Sequence, residues 1–574
     1  MKKLLVVVVL AAAVAFAIWF GRRNGSARIS SATVTSLLPN DTIAFLHVPD
    51  VRAARAQWHQ SDLYKLWREP AVQDFLQKPL AQNAAPSAAA EKFAEFDTLG
   101  IRDAFLAVLP AANDQQKFVG GFRFEGRRDD VERVMDDWRA RAGAAGTQTK
   151  RETVPYQQHQ IEVATDGAVT VATVYDGEWF FAASEIGGLQ ILLDRLDGRL
   201  KDPAATLSAN EDYGTAFKHM PQRYVAFGYA RLEPYFAKLA SMTEDSSIRG
   251  RVEFLRNVHS AAAAIGFLDG KVRDVLFVGM PKIPDQPDLT RSSLALTTAD
   301  SFLYAASVLD FPQASASAGP TSGIPPAMQG FFSQLNANAA TTQDWKSAFG
   351  SELGVVGDWS ANARIPSLLL TLPVKDGTKA RELVRALTVG GGEESRWTLS
   401  DKGGVQYCFQ APATPMLPVA ATIAVSDRQL VAGLDPIVVE TAMNQIAGAN
   451  GALTSSQQFR TAERLVGEPK NHFAYIDTTL LYTRLDAAVR PMLVMAAAFM
   501  PSLVQNIDIN KLPPPDVVTK HLSPIVLSQN YDRDGYVAES VGPISLFEAG
   551  VAAAAAAMAG TELYRRQFPN PNGP

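Results

Sequence analysis

The chain has 574 residues, 47% apolar and 20% charged, with 54 basic against 59 acidic side chains and a formal net charge of −5. That length exceeds one ordinary core, the composition is that of a folded globular protein, and the charge balance holds no basic block of the kind that marks a nucleic-acid-binding protein. The lone cysteine, Cys408, excludes an internal disulfide and a structural cysteine cluster for zinc.

In chain order, Lys2 and Lys3 precede an uninterrupted apolar run, Leu4–Phe20, which Gly21, Arg22 and Arg23 close. At 1.5 Å per residue a helix over that run is about 26 Å long, just sufficient for a bilayer core. Three readings stand: an uncleaved membrane anchor, a cleaved signal peptide and a buried core helix. Ala15-Phe16-Ala17 suits a cleavage site but lies inside the run, whereas Trp19 suits an interfacial aromatic residue, which favours the anchor. The basic residues at the start predict a cytoplasmic N-terminus and an exported remainder. The style of the segment points to the inner membrane of a bacterium, with the bulk of the chain in the periplasm. A single cysteine is compatible with an oxidising compartment. Residues 24–36 are small and polar and read as a tether.

The stretch Pro39–Asp50 (PNDTIAFLHVPD) reads as a capped strand, and the chain returns to it at Thr298–Asp310 (TADSFLYAASVLD), with Asp300 at the place of Asp41 and Ser301 at the place of Thr42. After the first copy, apolar spacing of three and four over Ala54–Gln77 predicts amphipathic helix interrupted near Pro70. Strands are expected at Ala104–Leu109, Phe118–Phe124, Ile161–Ala164, Val169–Tyr175 and Trp179–Ala183, with a charged helix at Arg127–Ala142. A helix at Ile186–Leu196 should end on a left-handed Gly198. A helical turn near Tyr213–Phe217, a strand Tyr224–Tyr229, helices near Pro234–Met242 and Arg249–Asn257, and the hairpin Ala261–Val278 about Asp269-Gly270 complete this part.

The second half follows the same order. Leu353–Trp359 lies 249 residues after Ala104–Pro110, Leu368–Val374 lies 249 after Val119–Glu125, and Ile423–Gly448 lies 250 after Thr173–Gly198 with no gap. Ala474–Asp477 answers Phe227–Ala230, and Asp534-Gly535 answers Asp269-Gly270. The expectation is a tandem duplication of an α+β unit, each copy a mainly antiparallel sheet with helices covering one side. Its parts are an anchor or signal at 1–23, the tether at 24–36, units at 37–289 and 290–548, and an Ala-rich helix and tail at 549–574. Met280–Leu289 joins the units, Pro312–Pro326 is a low-complexity loop, and Ile544–Gly560 is a packing helix or a membrane-associated segment.

Chemistry-bearing motifs are sparse, so no catalytic, cofactor-binding or metal-ligating residue is assigned and no cofactor is expected. The seven histidines include no HExxH pair. His47 and His472 each begin or sit within a strand pattern and read as satisfied structural residues; the copy of His47 is Ala306. Asn530–Gly535 resembles the first half of a calcium loop, but Val541 stands where a bidentate glutamate belongs, leaving a hairpin turn. Gly390–Gly392 lacks the Lys-Ser/Thr of a phosphate loop and adjoins Glu393 and Glu394. Cys408, between Tyr407 and Phe409, reads as a buried small hydrophobe. Asp129-Asp130 and Asp136-Asp137, interleaved with arginines, read as a solvated helix face.

The entry LLPNDTIAFLHVPD and the following SDLYKLWREPAVQDFL (Ser61–Leu76) resemble a family of membrane-anchored bacterial envelope proteins that carry a domain of unknown function. The resemblance implies a short N-terminal anchor and a long repeated α+β ectodomain; it implies no activity and no site residue. Two functions compete on the sequence alone. One is a non-catalytic binding, scaffolding or quality-control module for an envelope protein, lipid or glycan. The other is an envelope hydrolase whose active-site residues are dispersed along the chain.

Overall fold

The computed structural model describes residues 31–82, 99–112, 115–143, 150–166, 169–234, 257–283, 286–308, 342–389, 397–410, 420–445, 451–499 and 508–544. Leu4–Phe20, the helices expected across 235–256, Pro312–Pro326, Gly390–Gly392 and nearly all of Ile544–Gly560 lie outside these residues. Among the described residues no helix is long and apolar enough to cross a membrane.

Helix α1 (Ser31–Leu37) leads into β1 (Ala44–Val48), followed by α2 (Val51–Gln60), α3 (Asp62–Trp67) and α4 (Pro70–Gln82). Strands β2 (Ala104–Ala112) and β3 (Gln115–Arg123) precede α5 (Arg128–Gly143). A meander follows: β4 (Lys150–Tyr156), β5 (His159–Asp166), β6 (Val169–Asp176) and β7 (Trp179–Ala183). Then come α6 (Ile186–Leu196), α7 (Glu211–Lys218), β8 (Ala226–Arg231), β9 (Ser260–Leu268) and β10 (Lys271–Gly279).

The C-terminal half opens with β11 (Ser301–Val308), α8 (Thr342–Ala348), β12 (Glu352–Asp358), β13 (Ser367–Pro373) and α9 (Gly377–Val389). Its meander is β14 (Trp397–Lys402), β15 (Val405–Gln410), β16 (Thr422–Val425) and β17 (Gln429–Gly433). Helices α10 (Pro436–Gln445), α11 (Ala452–Ser455) and α12 (Gln457–Glu463) lead to β18 (His472–Ile476) and the long α13 (Thr478–Phe499). Helix α14 (Pro515–Thr519), β19 (Ile525–Asp532) and β20 (Gly535–Gly542) finish the described chain.

The class is α+β, built on one large antiparallel sheet. All twenty strands join it, in the spatial order 4-5-6-7-3-2-1-8-9-10 and then 20-19-18-11-12-13-17-16-15-14. Each strand of the first half therefore has the same neighbours as the strand ten places later. Among the described residues the only strand pairing between the halves is β10 with β20, an eight-pair ladder in which Val275 faces Glu539.

The ladders also fix which residues occupy matching places. Leu303 pairs with Gly357 as Ala44 pairs with Val108, and Thr422 pairs with Gly433 as Ala172 pairs with Ala183, in agreement with the spacings of Asp41 to Asp300 and of the stretch from Thr173. Three spacings need correction by one residue. Val119 matches Leu369, because each pairs with the corresponding β7 or β17 residue, Ala183 or Gly433. Phe227 and Tyr229 match Phe473 and Tyr475 rather than Ala474 and Ile476. The last hairpin turns on Arg533-Asp534, since Asp532 pairs with Gly535. Arg533 has the positive φ of 49° that Asp269 has in the matching turn. Short strands of low identity leave such one-residue slips undetermined until the backbone pairing is known.

Helices cover both faces, not one. In β7, Phe181 packs with Leu189 and Leu192 of α6, while its neighbour Phe180 packs with Val131 and Val134 of α5. In the other half Ala424 joins Val439 and Ala442 of α10, whereas Ile423 and Val425 join Ala380 and Val384 of α9. Successive strand residues point to opposite faces, so a strand whose four residues are all buried, as in β16, demands cover on both.

Local chemistry sets the helix starts. Asp50 accepts from the Ala53 N–H and Ser61 from the Tyr64 N–H, which divides the stretch before Pro70 into separate helices. Asn210 and Ser456 cap α7 and α12 in the same manner, accepting from Tyr213 and Phe459. Gly198 follows α6 with φ +69°, the left-handed residue expected there.

Beyond the central ladder, ion pairs tie the halves together. Glu69 accepts from Lys520 (2.9 Å) and His521 (2.7 Å), Asp74 from Lys511 (2.7 Å), and His219 approaches Asp532 at 3.5 Å. Hydrogen bonds from Lys520 and then His521 hold the Glu69 carboxyl below its ordinary range. Across the junction Arg273 Nε donates to Glu539 at 2.7 Å, and the Gly467 N–H donates to the other carboxylate oxygen at 3.1 Å.

Candidate functional site

Three polar constellations stand out among the described residues. The first surrounds His47. Strand β1 turns this side chain to the face it shares with Phe45, against Asp103, the residue just before β2. Asp103 accepts from His47 Nε2 at 3.0 Å, and both side chains are 0% exposed. His47 Nδ1 faces the Tyr224 hydroxyl at 3.4 Å. The histidine is thus wholly buried and paired with an acid, more enclosed than the half-buried residue its sequence suggests. Asp103 Oδ2 has no hydrogen-bond partner, an arrangement that carries a desolvation penalty. An acid orienting an imidazole is the beginning of general-base chemistry, but catalysis also requires substrate access, and no solvent reaches this pair. What it does is join β1 to the entry of β2 and the approach to β8.

The second lies where the β4–β5 hairpin meets the end of α6. The Tyr156 hydroxyl donates to both carboxylate oxygens of Asp194 at 2.9 Å, and His159 Nε2 bonds Asp197 at 2.9 Å. Arg199 Nε donates to Asp194 at 2.8 Å and its Nη1 to Asp197 at 2.5 Å. The bond to Asp194, reinforced by burial, raises the Tyr156 phenol. Burial tends to raise the Asp197 carboxyl, but hydrogen bonds from His159 and Arg199 outweigh it and hold the acid low. Each acid already has a donor, so the cluster closes the end of α6. At the corresponding place in the other half stand Lys402, Gly403, Gly404 and Val405, and Lys402 pairs instead with Glu440 of α10.

The third is an anion nest filled by the chain itself. Glu352, at the start of β12, accepts from the N–H groups of Thr290 (2.7 Å), Arg291 (2.9 Å) and Ser292 (2.8 Å) and from the hydroxyls of Thr290 (2.7 Å) and Ser292 (3.2 Å). Arg291 adopts φ 55°, the left-handed conformation that turns successive amides toward one point. Glu352 occupies the ladder place of Asp103, so one backbone position carries an acid in both halves with different partners.

Sequence reading named His47 without Asp103, which lies 56 residues away. It named neither Glu352 nor Asp197 and gave His159 no role, because their contacts depend on distant partners. Cys408 is buried in β15, with the Thr388 hydroxyl at 3.8 Å and the Gln406 amide at 3.7 Å. His472 is largely buried beside the Ser307 hydroxyl, and burial lowers its imidazole from the ordinary 6.5. Asp129 and Asp130 pair with Arg127 and Arg133 on the exposed side of α5. Asp532 and Asp534 belong to the β19–β20 hairpin, and Val541 pairs with Val526 within the sheet. Among the described residues no group of three or more His, Cys, Asp or Glu side chains is arranged to hold a metal ion.

No family model and no curated protein matches this chain. Among solved structures, crystal form I of TP0453 superposes with a TM-score of 0.23 at 6% identity, over 45% of this chain and 82% of that one. Crystal form III of TP0453 gives 0.24 at 7% identity, over 45% and 84%. Superposition at that level transfers neither fold nor function.

Proposed function

We propose that the chain is a non-catalytic binding or scaffolding module of the bacterial envelope, made of two tandem α+β units at 37–289 and 290–548. In this reading Leu4–Phe20 holds it in the inner membrane, residues 24–30 are the tether, since Ser31–Leu37 folds as α1 with Val34 in the first core, and the bulk of the chain lies in the periplasm. The observation that carries the reading is the strand order: every neighbour relation of β1–β10 recurs in β11–β20. The matching residues Val275 and Glu539 face each other at the centre of the junction. Two equivalent edges paired antiparallel in this way have the local symmetry of an isologous dimer, as expected if a paired unit became a single gene.

Duplication joined to a continuous sheet enlarges a surface more readily than it builds a reaction centre. The buried His47–Asp103 pair and the internally filled Glu352 nest favour a structural use of those acids over acid–base work. The partner class is an envelope protein, a lipid or a glycan.

Fractionation of cells expressing the full chain tests the reading. The protein should remain with inner membranes through alkaline carbonate extraction, and protease added to spheroplasts should digest the sheet-bearing region. Recovery in the soluble fraction, or protection of that region from external protease, would overturn it.

A further inference from the structure

We infer that α13 beyond Pro491 contacts lipid and seats the folded body on the bilayer surface; the inference rests on the envelope reading above. The helix changes character at this proline. Before it, Arg484 donates to the Trp359 carbonyl (2.9 Å) and to Asp300 (3.0 Å). Arg490 pairs with Asp486 and reaches the Leu512 and Pro513 carbonyls. After it, Met492–Phe499 reads MLVMAAAF, two turns of helix without a charge. Pro491 supplies no N–H to the helix, so the boundary is also a break in the backbone hydrogen bonding.

Met492 is 62% exposed, Val494 56% and Met495 61%. At about 100° per residue Met492 and Met495 lie roughly 60° apart and Val494 about 100° beyond Met495, so the three share one broad apolar arc of about 160°, with the half-buried Leu493 on the other side. An exposed face that broad and bare of charge suits the boundary of a bilayer, where a surface helix buries its apolar side. The chain brings its own means of reaching lipid. Residues 21–30 between the apolar run and Ser31 span at most about 35 Å, which keeps the body within one molecular diameter of the bilayer. The fold does not dictate an apolar helix here. At the same distance beyond β8, residues 246–253 read SSIRGRVE, with three charges.

The cysteine content makes the test direct. Cys408 is 0% exposed, so Met495→Cys in the full chain creates the one accessible thiol. The protein is labelled there with an environment-sensitive fluorophore and incorporated into phosphatidylethanolamine–phosphatidylglycerol vesicles. Lys201→Cys, at an exposed polar position, serves as the reference. The expected result is a blue shift at 495, loss of emission with brominated lipid and protection from aqueous iodide, with the opposite pattern at 201. Equal iodide quenching at both positions in vesicle-bound protein would overturn the lipid contact and leave the anchored reading standing. Protection at 495 without bromolipid quenching, growing with protein concentration, would assign the helix to a second copy of the chain and likewise overturn it. Failure of the full chain to enter vesicles would overturn both readings.

Discussion

One cross-strand row shows how the halves differ while their backbones match. Through β8, β1, β2, β3, β7 and β6 the first half places Phe227, His47, Phe105, Gly121, Phe181 and Val174 side by side. The matching row is Phe473, Ala306, Gly354, Thr371, Val431 and Ala424. In the first, Phe105 and Phe181 flank a glycine on which a Cβ would lie 2.5 Å from the Phe181 ring. In the second, Thr371 supplies that bulk and the glycine moves to position 354, where Ser293 of the turn before β11 packs against the strand. The second row is the smaller one, with Ala306, Gly354 and Ala424 against His47, Phe105 and Val174, and Ser293 from outside the row fills the space at Gly354, so close packing is reached with different contributors in each half.

The largest test of this comparison concerns the acid found in both halves. Asp103→Ala leaves His47 buried without its partner and should lower unfolding free energy by about 4 kcal/mol. Adding His47→Ala, the residue type at the matching position, should recover part of that loss in a double-mutant cycle read by denaturant titration. Additive losses would show that the two side chains do not act as a pair. Glu352→Ala should cost about 3 kcal/mol, because it orphans three amides at once. Thr290→Ala, which retains those amide bonds, should cost about 1 kcal/mol by the same measurement.

Next comes the exchange of bulk. Gly121→Thr alone should destabilise by about 2 kcal/mol through overpacking, and in the double variant Phe181→Val should relieve the part that comes from the Phe181 ring, leaving the contact with the Phe180 carbonyl. If the pair is no better tolerated than the single change, the row account fails.

His472, at the ladder place of Ala226, gives a pH test confined to the second half. Its folded imidazole titrates below the unfolded 6.5, so the unfolded chain binds the proton first. The contribution is fully present above that pH and is lost as pH falls from there through the lower folded value. His472→Gln should flatten that part of the stability profile, whereas an unchanged slope would place the titration elsewhere. The smallest effect belongs to the junction: Arg273→Ala removes a part-exposed ion pair with Glu539 and should change stability by about 1 kcal/mol or less.

Much of the architecture was legible in the sequence because apolar period and turn residues agree. Trp179–Ala183 and Ile186–Leu196 fold over the residues expected. The α+β class and the recurrent order of elements followed from patterning of this kind. The edge strands did not. Lys150–Tyr156 and Trp397–Lys402 are mostly exposed, paired on one side only, and carry no strong alternation to read. Their charges and Pro155 suit strands that must not recruit further partners. Helix α13 also escaped notice, since its apolar second half lacks the amphipathic period. At the candidate sites, local sequence identifies His47 and Cys408 as structural types, but the Asp103 and Glu352 contacts are created by the tertiary fold and leave no local spacing to detect.

The β10–β20 ladder has a consequence for the order of folding. Every other strand pairing closes within β1–β10 or within β11–β20, so each half can complete its ladders before the two edges meet. The closing step joins residues some 260 positions apart, yet its entropic cost grows only with the logarithm of the intervening length and is small once both halves are compact. Until it happens, each half presents one bare edge suited to the other. On a crowded ribosome that edge meets the matching edge of a neighbouring chain, which makes exchanged dimers the misfolded form to look for in concentrated refolding.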